Sequence, residues 1–185
     1  MKYASDDLRN EHDGILFGLK ILERMIVLYK QTQSGDMDDF IEIVDFFRIY
    51  ADKCHHGKEE TMFFPAMENA GIDRMASLID ELLTEHIIAK RYLSQMVESI
   101  TGDLINSMNL IKSSNDYVDL LRLHIGKENT VTFPMGDAMI PMKIQTDLLL
   151  HFENFEETVL GRGMHMKLHD ILNKFEDKYL TARNK

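Results

Sequence analysis

Apolar residues recur every three or four positions along most of this chain, and strict alternation of apolar and polar residues is absent. A period of three to four is that of a helix with one buried face, whereas a half-buried strand alternates with a period of two. Only three prolines, Pro65, Pro134 and Pro141, interrupt the pattern. The chain is therefore predicted to be helical nearly everywhere, with an all-α fold.

The pattern predicts four long amphipathic helices and a fifth helical segment after them. Ser5 and two acidic residues open the first helix, and the residues QSGD close it. Pro65 predicts a kink in the second helix, and Gly71 predicts its end. The fifth segment is expected to be broken or loosened near Gly161 and Gly163. The predicted ranges are 6–33, 38–71, 73–99, 104–133 and 146–180.

Long amphipathic helices joined by short connections predict an antiparallel up-down four-helix bundle, because apolar stripes stabilise such helices only when they pack together. Residues 1–140 are assigned to this bundle. Residues 141–185 are assigned to an additional C-terminal helix, a helical extension packed on one flank. In an up-down bundle the second and fourth helices run in the same direction, so matching positions on them lie at similar depth.

Composition and charge exclude several function classes. The 185 residues carry a formal net charge of -10, with 31 acids against 21 bases and no stripe of Lys and Arg, so no nucleic-acid partner is expected. No signal peptide and no membrane-spanning apolar run is evident, so no membrane partner is expected. A single cysteine, Cys54, excludes an internal disulfide and suits a reducing compartment. We therefore expect a soluble cytoplasmic protein. Phosphate-binding loops and nucleophile motifs are also missing.

One phrase occurs twice, on the second and on the fourth predicted helix. HHGKEETMFFP begins at His55 and HIGKENTVTFP begins at His124, and the two share His, Gly, Lys, Glu, Thr, Phe and Pro. Positions i and i+4 of a helix lie on one face, with β-carbons about 5 to 6 Å apart. His55 with Glu59, and His124 with Glu128, therefore each present an imidazole and a carboxylate to one point. His124 lies on the buried stripe of its helix, whereas the periodicity around His55 is mixed.

Two further histidines, His12 and His86, lie in the apolar stripes of the first and third helices. Four imidazoles and two carboxylates in a bundle core are costly to bury unless something satisfies them, and a pair of metal ions does so. Such ligands suit iron, manganese or zinc, and iron is usual where an open position admits a diatomic gas. The alternatives are a hydrogen-bonded core histidine and a surface His–Glu pair. The duplicated phrase favours the metal site over both.

This arrangement resembles the hemerythrin-like, or HHE cation-binding, domains. The likeness covers about residues 8–135: an early His in the first helix, HxxxE followed by FP in the second, EH in the third and a second HxxxE in the fourth. The C-terminal wording FEETVLGRGMHMKLHDIL also resembles an extension of some members. The resemblance implies a di-iron site that, when reduced, binds dioxygen or nitric oxide. The implied ligands are His12 and His55 on one iron, His86 and His124 on the other, and Glu59 and Glu128 as bridges.

One position departs from the family pattern. Oxygen-carrying members have a second histidine four residues after the third-helix histidine, where this chain has Lys90. An ammonium group does not ligate a metal, so the iron of His86 and His124 is implied to lack one ligand. His56 is a candidate substitute for it. On a regular helix, however, its side chain points about 100° away from that of His55, which favours a place behind the ligands or at the rim of the site.

Three function classes follow. The first is a non-haem di-iron protein that binds dioxygen or nitric oxide for sensing, scavenging or buffering. The second is a di-iron redox enzyme that consumes peroxide or nitric oxide, and the third is a metal-holding module without a redox task. The expected cofactor is two iron ions, with zinc or manganese as alternatives, and the expected partner is a small diatomic gas or peroxide. An inert buried thiol is expected at Cys54, and solvated side chains are expected at His151, His165 and His169.

Overall fold

The computed structural model describes residues 2–32, 34–101, 104–161 and 164–181, with the side chains of 164–166 excepted, and in these ranges it contains six helices and no strand. Helix α1 is Ala4–Thr32, α3 is Ile79–Thr101 and α5 is Met142–Leu160. No helix in the described ranges combines the length and the apolar character needed to cross a lipid bilayer.

The other three helices change their winding along their length. Helix α2 (37–69) is α-helical over Met37–Phe46, π-helical over Phe47–His56 and Glu59–Phe63, and α-helical again over Phe64–Asn69. Helix α4 (107–139) is α-helical over Ser107–Lys127, π-helical over Glu128–Thr132 and α-helical over Phe133–Met139. Helix α6 (164–181) is α-helical over Met164–Phe175 and π-helical over Glu176–Thr181. Both copies of the repeated phrase therefore include π-helical backbone.

The all-α class and the helical bundle are confirmed, but the predicted start of the third helix is wrong. The pattern placed it at 73, whereas α3 begins at Ile79. The Asp73 side chain accepts the backbone N–H of Met75 in a local turn, and Leu78 has a φ of 66°. These features compete with helical winding. Met75, in this turn, is consequently 82% exposed.

Helix α4 extends beyond its predicted end at 133, whereas the break predicted near Gly161 is confirmed. Helix α4 continues through Pro134 to Met139, and α2 continues through Pro65. Each proline follows a π-helical turn, and the wider turn relieves the clash between the proline ring and the preceding carbonyls. The predicted single C-terminal segment is two helices. They separate at Gly161, where φ is 78° and glycine is favoured, while Gly163 lies outside the described residues.

Neighbouring helices of the bundle are antiparallel. Near its C-terminal end α1 contacts the beginnings of α2 and α4, and near its N-terminal end it contacts their later parts. Helices α2 and α4 therefore run in the same direction, which brings the two copies of the phrase to similar depth. The contacts concerned are Tyr29–Phe40 and Glu11–His55 between α1 and α2, and Tyr29–Ser107 and Arg9–Asp137 between α1 and α4.

Two apolar clusters enclose a buried polar layer. In α1, Leu8 belongs to the smaller cluster and Ile15 to the larger cluster, and His12 lies between them. The other bundle helices cross the same three layers, in the directions that their antiparallel packing requires. The corresponding residues are Ala51, His55 and Phe63 in α2, Leu82, His86 and Ala89 in α3, and Leu121, His124 and Phe133 in α4.

The C-terminal helices pack on α1 and α2. Leu168, Leu172 and Phe175 of α6 join the larger apolar cluster. A methyl group at Gly57 would lie 2.8 Å from the ring of Phe155, so the glycine of the first phrase lets α5 approach α2 closely. Helix α5 thus covers the outer side of α2 next to the polar layer.

Gly18 provides a test of how closely the bundle packs. A methyl group at Gly18 would lie 2.8 Å from the ring of Phe46 and 3.2 Å from that of Phe47. We expect Gly18→Ala to lower the free energy of unfolding by about 1–3 kcal/mol through overpacking, measured by urea denaturation. The control is Gly126→Ala at an exposed helical site with open space around it, which should raise stability by about 0.5–1 kcal/mol. Equal stability of both variants would contradict this account.

Candidate metal centre

The six residues predicted as metal ligands meet in the polar layer between the two apolar clusters. Each is at most 1% exposed. Their nitrogen and oxygen atoms form two groups in which the atoms lie within 4.8 Å of one another, and Glu59 belongs to both. The structure thus brings all the predicted ligands together and adds His56. The groups are His12, His55, Glu59 and Glu128, and His56, Glu59, His86 and His124.

Each carboxylate lies between two histidines. The two oxygens of Glu59 are each 3.5 Å from an Nε2 atom, one of His55 and the other of His86. Those of Glu128 are 3.1 Å from Nε2 of His12 and 3.2 Å from Nε2 of His124. One oxygen toward each neighbour is the arrangement of a carboxylate that bridges two cations.

These inward-facing atoms lack the hydrogen bonds that buried polar groups normally have. Both oxygens of Glu59 and of Glu128, and Nε2 of His12 and of His55, have no hydrogen-bond partner, because the close nitrogen–oxygen approaches lack hydrogen-bond geometry. Burying ionisable groups without partners is costly. Imidazole nitrogens and carboxylate oxygens are ligands for divalent transition metals. The residues present therefore fit a pair of metal ions.

A ring of hydrogen bonds holds the outer side of the four histidines. Each donates its Nδ1–H to an oxygen 2.8–3.0 Å away on another helix. Because these oxygens only accept, each of the four histidines carries a proton on Nδ1, which leaves the inward-facing Nε2 as the atom for metal ligation. The Nε2 atoms of His86 and His124 form a hydrogen bond of 3.1 Å, so one of the two also carries a proton that a metal would displace. The donors and acceptors are His55 and Glu11 of α1, His86 and Glu60 of α2, His124 and Glu85 of α3, and His12 and Asn129 of α4.

Protons are unevenly distributed over the metal-free centre. Burial lowers the pKa of His55 to about 4 even though Glu11 accepts its hydrogen bond. Burial raises the pKa of Glu59 well above its usual range, and the charge of Glu128 adds to the effect. Burial opposes the imidazolium of His124, but the charges of Glu128 and Glu85 and the hydrogen bond to Glu85 together outweigh burial and raise the pKa of His124 to about 9. Since ligands bind metals in their deprotonated form, protons at Glu59 and His124 compete with the metal.

Of the two places expected for His56, behind the ligands or at the rim of the site, the rim is wrong. His56 is 2% exposed, and its ring stacks on that of His86 with centroids 3.8 Å apart. Its backbone is π-helical, with i→i+5 hydrogen bonds and more residues per turn, so successive side chains are less than 100° apart. His55 and His56 therefore both face the interior. The available signal was the second phrase, which has the buried apolar Ile125 at the same position.

Lys90 lies at the edge of the site rather than among the ligands. Its side chain is 44% exposed, and its Nζ is 3.3 Å from Asp52 and 3.6 Å from Glu60. Glu60 in turn accepts the Nδ1–H of His86. The ammonium therefore supports the hydrogen-bond ring from outside.

Cys54, His151 and His169 do not join the centre. Cys54 lies beside Glu11 and Glu156, but the ammonium of Lys58 is 2.5 Å from one of these acids and 3.1 Å from the other, where it supplies the cation. Burial, with the charge of Glu11, raises the pKa of Cys54 to about 12, so the thiol stays protonated. His151 and His169 are exposed, and the side chain of His165 lies outside the described residues.

The phenylalanine that precedes the proline has the same role in both copies of the phrase. Phe64 stacks on His86 with ring centroids 6.3 Å apart, and Phe133 stacks on His12 at 5.3 Å. In both cases the phenylalanine of one helix covers the histidine of another. The phrase is thus repeated because each copy supplies the same parts to one half of a centre with approximate two-fold symmetry.

Comparison with known proteins gives one family. A model described as the hemerythrin HHE cation binding domain matches residues 3–136. This range contains both ligand groups and ends before α5. No curated protein and no solved structure gives a significant match.

The two carboxylates can be tested without any assumption about the gas. We expect Glu59→Ala and Glu128→Ala to lower the metal content measured by mass spectrometry, since each removes two oxygens that face the histidines of the centre. Helicity should persist because the apolar clusters stabilise the fold, and the metal-free melting temperature of Glu59→Ala should not fall, because burial disfavours the ionised form of that carboxylate and neither of its oxygens has a hydrogen bond. Glu98→Ala, at an exposed position of α3, is the control. Full metal occupancy in both variants would show that the carboxylates are not ligands.

Proposed function

We propose that this chain, which belongs to the hemerythrin HHE cation-binding domain family, is a non-haem di-iron protein that binds dioxygen or nitric oxide for sensing, scavenging or buffering. The observation that carries the proposal is that Glu59 and Glu128 each face two histidines with separate oxygens. This arrangement can serve two cations at once. A reducing, cytoplasmic location belongs to the same proposal, because it keeps iron in its ferrous state.

The two ions are proposed to have unequal sets of ligands. His12 and His55 hold one ion, His86 and His124 hold the other, and the carboxylates bridge them. His56 belongs to the group of His86 and His124, so it supplies a third imidazole to their ion. In the family pattern this third imidazole comes from the position that Lys90 occupies here. At the place equivalent to His56 the second phrase has Ile125, which is buried and has no ligating atom.

The unequal number of histidine ligands at the two ions supports gas binding. The ion on His12 and His55 has one imidazole fewer, so it keeps the open position. Ferrous ions held there would supply the electrons and the vacant coordination position that dioxygen or nitric oxide requires. The protein itself contributes the dry surroundings: the apolar clusters on either side admit small uncharged molecules and exclude charged reactants.

The hydrogen-bond ring around the histidines supports the same function because it makes the ligating nitrogens more basic. The imidazoles of His12, His55, His86 and His124 each donate to a side-chain oxygen of another helix, and such hydrogen bonds fix the ring orientation and raise the basicity of the ligating nitrogen. Three of the four acceptors are carboxylates, namely Glu11, Glu60 and Glu85. The centre is thus oriented in advance for cations.

The first experiment is metal analysis of protein purified without oxygen, together with absorption spectra before and after dioxygen or nitric oxide is admitted. We expect about two irons per chain and new near-ultraviolet and visible bands on exposure. Zinc alone, with no spectral change even after reconstitution with ferrous iron, would contradict the proposal and favour a metal-holding module. Consumption of peroxide or nitric oxide far beyond one equivalent per site would instead establish a redox enzyme.

The role of His56 is tested by His56→Ala. We expect one of the two ions to bind at least about 10-fold more weakly, because its site loses an imidazole, while the other ion is retained. Chelator competition under anaerobic conditions measures the two affinities. The matched control is His151→Ala, at an exposed histidine of α5, which should bind both ions as the unmodified protein does. Unchanged binding of both ions in His56→Ala would exclude His56 as a ligand.

A further inference from the structure

We propose that Lys58 and Lys127 are positioning residues of the metal centre. The repeated phrase places one lysine three residues after each of its histidines, yet neither lysine belongs to a ligand group. Each lysine holds the carboxylate that orients the histidine of its own phrase. The inference rests on the proposed metal pair. It explains why both copies of the phrase contain a lysine that does not ligate a metal.

In the first half of the bundle, Lys58 and His55 share the carboxylate of Glu11. The Nζ atom of Lys58 donates to Oε1 at 2.5 Å, while Oε2 accepts the Nδ1–H of His55 at 2.8 Å. The side chain of Lys58 is 0% exposed. A buried lysine is expensive unless it is paired, so this cation is held for its charge and hydrogen bonds.

The second half repeats the connection atom for atom. Lys127 donates to Oε1 of Glu85, while Oε2 of Glu85 accepts the Nδ1–H of His124 at 3.0 Å. Glu11 and Glu85 also match in sequence, since each immediately precedes a histidine ligand of its own helix, His12 or His86. Two independent occurrences of one lysine–carboxylate–histidine chain argue against a chance surface ion pair.

The lysine has a definite physical effect on the ligand. The carboxylate of Glu11 lies between the ammonium of Lys58 and the Nδ1–H of His55, and an adjacent cation favours the ionised form of a carboxylate. Lys127 and His124 hold the same two positions around Glu85. An ionised carboxylate accepts a stronger hydrogen bond than a neutral acid does. The histidine is thereby fixed in orientation and made more basic toward a metal.

The two halves differ in what covers the lysine. Lys58 also lies 3.1 Å from Glu156 of α5, and its Nζ lies 5.5 Å from the centroid of the Phe152 ring on the same helix. Lys127 is 25% exposed and pairs with Glu81 of α3 at 2.7 Å. The C-terminal extension therefore supports the His55 half alone, although it lies beyond the residues that the family model matches.

The test compares Lys58→Met and Lys127→Met with Lys53→Met, an exposed lysine of α2 that serves as the matched control. Ferrous affinity is measured by chelator competition without oxygen. We expect each of the first two variants to bind one of the two ions about 10- to 100-fold more weakly, and Lys53→Met to bind both ions normally. Affinities equal to those of the unmodified protein in both variants would overturn the positioning role.

A double-mutant cycle separates positioning from a merely structural effect. If Lys58 acts through Glu11, then Lys58→Met adds no further loss of affinity in a Glu11→Gln background. Additive losses would overturn the inference. If Lys58→Met does not fold, the same cycle with Lys127→Met and Glu85→Gln is decisive, because Lys127 is partly exposed. Failure of the proposed function is seen separately, as fewer than two irons in the unmodified protein.

Discussion

The structure depends on one constraint: ionisable side chains buried in an apolar core must each be given a partner. The protein meets it on the outer side of the centre with the ring formed by Glu11, Glu60, Glu85, Asn129 and their histidines. Each helix supplies the acceptor for the histidine of the next, and α4 supplies it for α1. On the inner side, cations are the partners that suit the imidazole nitrogens and carboxylate oxygens. Rotation of any one helix would break two links of the ring, so the constraint also fixes how the four helices pack.

Periodicity alone predicted much of this arrangement. His12, His86 and His124 follow apolar neighbours at three and four positions, and the structure places each of them between the two apolar clusters. Glu59 and Glu128 followed from their spacing to a histidine. These predictions worked because a residue's face on a helix depends only on its neighbours along that helix.

The remaining parts depended on information that one helix does not contain. His56 was misplaced because π-helical backbone changes the angle between consecutive side chains, and no simple pattern marked that winding. The start of α3 was misplaced because Asp73 uses its side chain in a turn. The hydrogen-bond ring joins residues of different helices, so Glu11 and Glu85 were visible only as acids beside a histidine. Long-range pairing, rather than helix propensity, limited the prediction.

The closure of the ring between α4 and α1 has a consequence for how the protein is made. The chain is synthesised from its N-terminus, and domains generally fold as units during synthesis. Until Asn129 and Glu128 have emerged, His12 lacks both its outer acceptor and its inner carboxylate neighbour. A nascent chain that ends within α3 therefore contains histidines and acids of the centre but no complete metal site. Metal loading of this centre is an event that follows translation of the fourth helix and cannot guide the folding of the first three.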